Sequence, residues 1–137
     1  MDEAARRLVG GWRLFAWRAQ GGGPQGGETV CHPMGPDARG HLHYGPDGLM
    51  SAFLVRAAFS DATPDTPALG NFTAYFARWW IEGDRVIHEV LESSQPWRLK
   101  DRLVRVMSWQ GEDLVLTTPD QHTAKGTMRN ILHWRRM

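Results

Sequence analysis

Residues 40–56, GHLHYGPDGLMSAFLVR, hold two strand-like runs on either side of a turn. The runs are GHLHYG (40–45) and GLMSAFLVR (48–56), and Pro46-Asp47-Gly48 joins them. Proline presets the backbone of a turn and glycine supplies its positive φ, so this stretch reads as a β-hairpin.

The same punctuation repeats outward from it. Turn signals stand at GGGPQGG (21–27), GPDARG (35–40), EGD (82–84), QGED (110–113) and TTPD (117–120). Between them lie segments rich in Val, Leu, Phe, Trp and Thr: 11–19, 28–33, 71–81, 85–93, 102–110, 113–118 and 127–136. With the hairpin this makes about nine strands in sequence order. The fold class is all-β, an up-and-down meander, and one so long protects its edges by closing into a barrel. Helical periodicity is confined to residues 2–9, a short N-terminal helical turn with Ala5, Leu8 and Val9 inward. Residues 57–70, AAFSDATPDTPALG, carry two prolines and no alternation. That stretch reads either as a flap over one barrel end or as a solvated loop.

A chain of 137 residues is the size of one domain, spanning 1–137. No run of about 20 apolar residues offers a membrane span. The start, MDEAARRLVGGW, has no apolar signal region. Cys31 is the sole cysteine, which excludes an internal disulfide and a multi-cysteine zinc site and points to the cytoplasm. A net charge of +1 does not favour nucleic acid. Seven tryptophans stand out, because each large ring needs burial or a stacking partner.

Strand alternation assigns the faces. One face of 102–110 carries Leu103, Arg105, Met107 and Trp109, and one face of 85–93 carries Val86, His88, Val90 and Glu92. One face of 127–136 carries Met128, Asn130, Leu132, Trp134 and Arg136. In 71–81 both faces are apolar, so the period leaves its orientation open. The inner wall is then large and apolar with a few polar groups, His88, Arg105 and Asn130, joined by Tyr44. Such groups in an apolar wall call for mutual pairing, ordered water or a ligand.

These pieces resemble the lipocalin-like domain family of small bacterial and fungal proteins. The resemblance is carried by LVGGWRLFAW (8–17), PMGPDARGHLHYGPDGLMSA (33–52), AYFARWWIEGDRVIHEV (74–90), RLVRV and LVLTTP within 102–119, and HWRR (133–136). It implies a lipocalin-like β-barrel and a family of largely undefined activities, some in natural-product biosynthesis. It also implies that Trp12, after Gly10-Gly11, plugs one barrel end with Arg136 stacked on it. Tyr44, His88 and Arg105 match polar positions of the family pattern. Ala77 and Trp79 stand where the family often has Gly and Tyr, and Pro96-Trp97 replaces the usual Pro-x-Trp, so the extra rings imply a reshaped or partly filled pocket.

Other constellations are weaker. His41-x-His43 puts two imidazoles on one strand face, with His32 or His88 as a third metal ligand, but exposed histidines explain the pattern as well. No G-x-S-x-G occurs, and Cys31 and His32 are strand neighbours that face opposite ways. Trp-Arg neighbours such as Trp12-Arg13 and Trp134-Arg135 read as ring inward and guanidinium outward. GGGPQGG lacks the helix and lysine of a phosphate loop.

The leading functional reading is a barrel that binds one small, largely apolar organic molecule. Tyr75, Trp79, Met107, Trp109 and Asn130 are the contact candidates. The second reading is a cofactor-free cyclase or isomerase of polyketide- or terpenoid-like substrates in the same pocket, with His88, Arg105 and Tyr44 as the catalytic candidates. The third is a filled barrel serving as an interaction subunit, with 71–81 as a homodimer surface. None of the three calls for a cofactor, a metal, a nucleic acid or a membrane.

Overall fold

The computed structural model describes residues 2–22, 28–57, 72–123 and 126–137. Among these residues a short helix, α1 (Glu3–Leu8), precedes ten strands. They are β1 (Gly10–Gly22), β2 (Glu28–Cys31), β3 (Arg39–Tyr44), β4 (Leu49–Val55), β5 (Phe72–Glu82), β6 (Arg85–Ser93), β7 (Arg102–Gln110), β8 (Asp113–Thr117), β9 (Gln121–Thr123) and β10 (Gly126–Arg136). All pair antiparallel in the order β2-β1-β3-β4-β5-β6-β7-β8-β10-β9, and β1 also pairs with β10. Eight strands therefore close an antiparallel barrel, and β2 and β9 are additions to it. β9 brings the count to ten. It pairs only three residues with β10 and has no apolar run in the sequence to announce it. From residue 58 onward the stretch read as a flap lies outside the described residues, as do residues 23–27 of the glycine-rich turn.

Alternation sorts the faces as expected where pairing is regular. Leu103 is buried and Met107 and Trp109 pack against the core, while Arg102, Ser108 and Gln110 are exposed. The orientation that sequence left open in β5 is settled by its partners. Ala77 and Trp79 are buried inside, whereas Phe76 and Arg78 face out. Two bulges break the period. In β6 the register shifts so that Phe76 opposes Glu92 while Ala77 opposes Val90. The extra residue, Leu91, turns Glu92 outward, which corrects its expected place on the inner face beside His88. In β1, Leu14 opposes Trp134 and Ala16 opposes His133. The extra residue there, Phe15, turns outward beneath Arg135, whose Cζ lies 3.6 Å from the ring centroid.

One end of the barrel is plugged. Asp2 caps α1 by accepting a hydrogen bond from the Ala5 N–H at 2.8 Å, which anchors the helix start. Leu8, at the helix end, is fully buried, and its carbonyl accepts the Trp12 Nε1–H at 2.9 Å. Trp109 packs against Trp12 with centroids 6.0 Å apart. Arg136 closes the outside of the plug. Its Cζ lies 4.2 Å from the Trp12 ring centroid, and its guanidinium donates to the Val9 carbonyl at 2.9 Å and to the Arg7 carbonyl. Gly10 is needed there, since its φ is +121° and a Cβ would meet Arg136 Nη1 at 2.9 Å.

Removing a buried indole should cost far more than removing an exposed one. Trp12→Ala is expected to lower the unfolding free energy by about 3–5 kcal/mol. Trp97→Ala, at a residue 72% exposed, should change it by less than about 0.5 kcal/mol. Urea unfolding of the two variants checks this, and equal losses would contradict the plug.

Candidate functional site

Below the plug the barrel is hollow. A cavity of about 510 Å³ opens among Trp17, Leu42, Leu54, Tyr75, Leu116 and Leu132, with His88, Arg105 and Asn130 also in its wall. The wall is built by strand alternation. Leu42 of β3, Ala52 and Leu54 of β4, Tyr75 of β5, His88 of β6, Leu103 and Arg105 of β7, and Asn130 and Leu132 of β10 all come from inward positions.

His88 is the polar centre of the site. It is 1% exposed and held from both ring nitrogens. The Tyr44 hydroxyl lies 2.6 Å from Nε2, and the Tyr75 hydroxyl lies 2.8 Å from Nδ1. Tyr44 is itself fully buried, edge-on to Trp79 with centroids 5.0 Å apart. The Trp79 Nε1–H donates to the Gly45 carbonyl at 2.9 Å, which fixes the ring that packs on Tyr44.

Burial drives the His88 pKa down to about 3, and the Arg105 charge pushes the same way. The imidazole is therefore neutral at pH 7, with one N–H and one bare nitrogen. Burial raises the Tyr44 hydroxyl well above its ordinary range; Tyr75 adds to the rise and Arg105 opposes it. Burial also raises Tyr75, against the charges of Arg105 and Arg98. Both phenols keep their protons.

Three hydrogens are thus shared over two hydrogen bonds. If Tyr75 donated to Nδ1, Nε2–H would donate to Tyr44, and the Tyr44 hydrogen would be stranded in the core at a cost of about 1–3 kcal/mol. The reverse direction avoids this. Tyr44 O–H then donates to Nε2 and Nδ1–H to the Tyr75 oxygen, which leaves the O–H of Tyr75, a residue of the cavity wall, free to donate.

Asn130 is committed to the wall. Its Oδ1 accepts the Trp17 Nε1–H at 3.0 Å, and its backbone N–H donates to Thr118 Oγ1 at 2.8 Å. Arg105 donates to the Val104 carbonyl at 3.0 Å. The buried Trp134 Nε1–H has no acceptor among the described residues.

The structure brings together four of the sequence candidates at the cavity: Tyr75, His88, Arg105 and Asn130. Tyr44 touches the site through His88 without bordering the cavity. Trp79, Met107 and Trp109 do not border it either. Trp109 belongs to the plug, where Arg7 Cζ lies 3.8 Å from its ring centroid, and Trp79 supports Tyr44. Trp97, read as an extra pocket ring, faces out from a short 3-10 helix (Pro96–Arg98). That helix instead delivers Gln95 and Arg98 to the cavity mouth, with Arg98 Nε donating to Gln95 Oε1 at 3.3 Å. Neither residue lies on an alternating run, so periodicity carried no signal for them. His41 and His43 are exposed on the outer face while His88 is inside, so they cannot share an ion with it. Among the described residues no three His, Cys, Asp or Glu side chains cluster closely enough to hold a metal.

The model of the lipocalin-like domain matches residues 9–137, nearly the whole chain. The chain belongs to the lipocalin-like domain family. A lipocalin-like protein of solved structure from Bacteroides uniformis ATCC 8492 is similar to it at 13% identity, covering 96% of this chain and 99% of that one, with a TM-score of 0.46. No curated protein matches the chain. In this lipocalin-like chain no helix among the described residues is long and apolar enough to cross a membrane.

Burial of His88 couples folding to pH. Its folded pKa of about 3 lies below the ordinary 6.5, so the unfolded chain takes up the proton first. The stability this contributes is complete above pH 6.5 and is lost as pH falls toward 3, at up to about 1.4 kcal/mol per pH unit. Unfolding free energies measured at pH 7 and pH 4.5 should fall accordingly, and His88→Gln should flatten the dependence by nearly one proton. An unchanged slope in His88→Gln would contradict a buried neutral imidazole.

Proposed function

We propose that the barrel binds one small, largely apolar organic molecule in this cavity. The observation that carries the reading is the cavity itself, about 510 Å³, walled by Leu, Trp and Tyr side chains together with polar groups that include His88, Arg98, Arg105 and Asn130. This is the size and lining of small-molecule sites. A barrel filled by its own side chains, as the interaction-subunit reading needs, would leave no such space. The plug supports holding a ligand, because it shuts one end against water.

A second reading, a cofactor-free isomerase or cyclase, draws on the hydrogen-bonded run Tyr44–His88–Tyr75. That run ends in a hydroxyl able to donate to a carbonyl oxygen. Against it stands the His88 pKa of about 3, which makes a poor proton acceptor near neutrality. Binding is therefore the better-supported activity.

Titration with an environment-sensitive apolar dye should give saturable binding with a change in tryptophan emission from Trp17 in the cavity wall. Leu54→Trp, which fills the cavity from β4, should weaken that binding at least about tenfold, the loss of roughly 1.4 kcal/mol, with the far-UV spectrum unchanged. Equal binding by the filled variant would place the dye elsewhere and contradict the reading. For the catalytic reading, apolar ketones incubated with the protein in D₂O should exchange their α-protons faster than in buffer, and His88→Gln should abolish the excess. Exchange at the buffer rate would rule that reading out.

A further inference from the structure

We propose that the molecule held in the cavity is an apolar acid, carrying one negatively charged oxygen group that the Arg105 guanidinium and the Tyr75 hydroxyl hold together. This rests on the cavity being a binding site and names the class of its ligand.

The charge on the wall is one-sided. Among the described residues three arginines border the cavity: Arg98, Arg102 and Arg105. Arg102 is matched by Glu89 at 3.1 Å. Arg98 meets only the Gln95 amide oxygen, and Arg105 only a backbone carbonyl; among the described residues neither meets a carboxylate. Asp120 is the one acidic residue bordering the cavity among those described, and it is engaged by Arg129 at 3.4 Å. Three of the acceptors are committed, and Thr73 and Gln121 add two more hydrogen-bonding side chains to the wall. Asn130 Oδ1 takes the Trp17 indole N–H, Thr118 Oγ1 takes the Asn130 backbone N–H, and Gln95 Oε1 takes Arg98.

Donors remain. Arg105 has five N–H groups and uses one on Val104. The hydrogen count around His88 leaves the Tyr75 O–H unspent, and Tyr75 and Arg105 both border the cavity. The Arg105 charge also acts electrostatically on Tyr44, Tyr75 and His88, and Arg105, Tyr75 and His88 share the cavity wall. A half-buried cation on an apolar wall carries an uncompensated desolvation cost. An oxyanion would relieve that cost and accept from both donors at once. The leucines opposite leave the rest of the ligand apolar, which favours a single charge over a polyanion.

Matched acid and amide pairs test this on the full-length chain. Decanoic acid and decanamide, naphthoic acid and naphthamide, and anthracene carboxylic acid and its carboxamide differ in charge while sharing a body. Calorimetric titration at neutral pH should show at least one body bound about tenfold or more tighter as the acid, the scale of a charge-assisted hydrogen bond. Arg105→Gln should bring the acid down to its amide, and Arg105→Lys should restore most of the preference. Tyr75→Phe should weaken the acid by about three- to tenfold, the scale of one hydrogen bond. If Arg105→Gln does not fold, the acid-to-amide ratio of the parent and the Tyr75→Phe effect decide the matter. Amides bound as tightly as acids, or a preference that survives Arg105→Gln, would overturn this proposal alone and leave the binding reading standing. No binding of any pair would overturn both.

Discussion

The structure depends on the pairing of its first long strand with its last. β1 and β10 meet over ten residue pairs, from Trp12 with Arg136 to Gly22 with Thr127. Without that seam the remaining strands form an open sheet with two long exposed edges. The seam is so close at its far end that a Cβ on Gly21 would lie 2.1 Å from the Thr127 carbonyl oxygen. Its near end carries Trp12 under Arg136, so the closure of the ring and the plugging of one end are a single piece of structure.

That asymmetry organises the interior. At the plugged end, Trp12, Trp109, Leu8 and Leu114 fill the barrel with apolar contact. At the other end the wall carries Asn130, Arg105, Tyr75 and Gln95, and the space is left open. Between them lies the Tyr44–His88–Tyr75 group. Tyr44 sits in the packed core and Tyr75 at the cavity, so the imidazole joins the rigid part of the molecule to the hollow part. A group held by two hydrogen bonds and buried among rings keeps one geometry, the condition for presenting a hydroxyl in a fixed direction.

Much of this was legible in the residues. The Pro46-Asp47-Gly48 turn stands between β3 and β4, Trp12 and Arg136 stack as the resemblance implied, and alternation placed His88 and Arg105 inside. What escaped has physical causes. A bulge consumes one residue and reverses the faces beyond it, so Glu92 points out although it follows His88 by an even interval. β5 is apolar on both sides, and only its pairing with β4 and β6 decides that Tyr75 and Trp79 turn inward. Gln95 and Arg98 reach the site from a non-periodic turn. The proton direction around His88 is a property of three side chains from three strands, 13 and 44 residues apart from the histidine, and no local pattern encodes it.

The barrel is hollow on one side of the His88 group and filled on the other. Crystals pressurised with xenon test that directly, since xenon enters apolar space that protein atoms leave empty. Xenon is expected among Leu42, Leu54, Leu116 and Leu132, with none between Trp12 and Trp109. Leucine walls collapsed onto one another, with no xenon among them, would contradict the hollow barrel and every ligand built upon it.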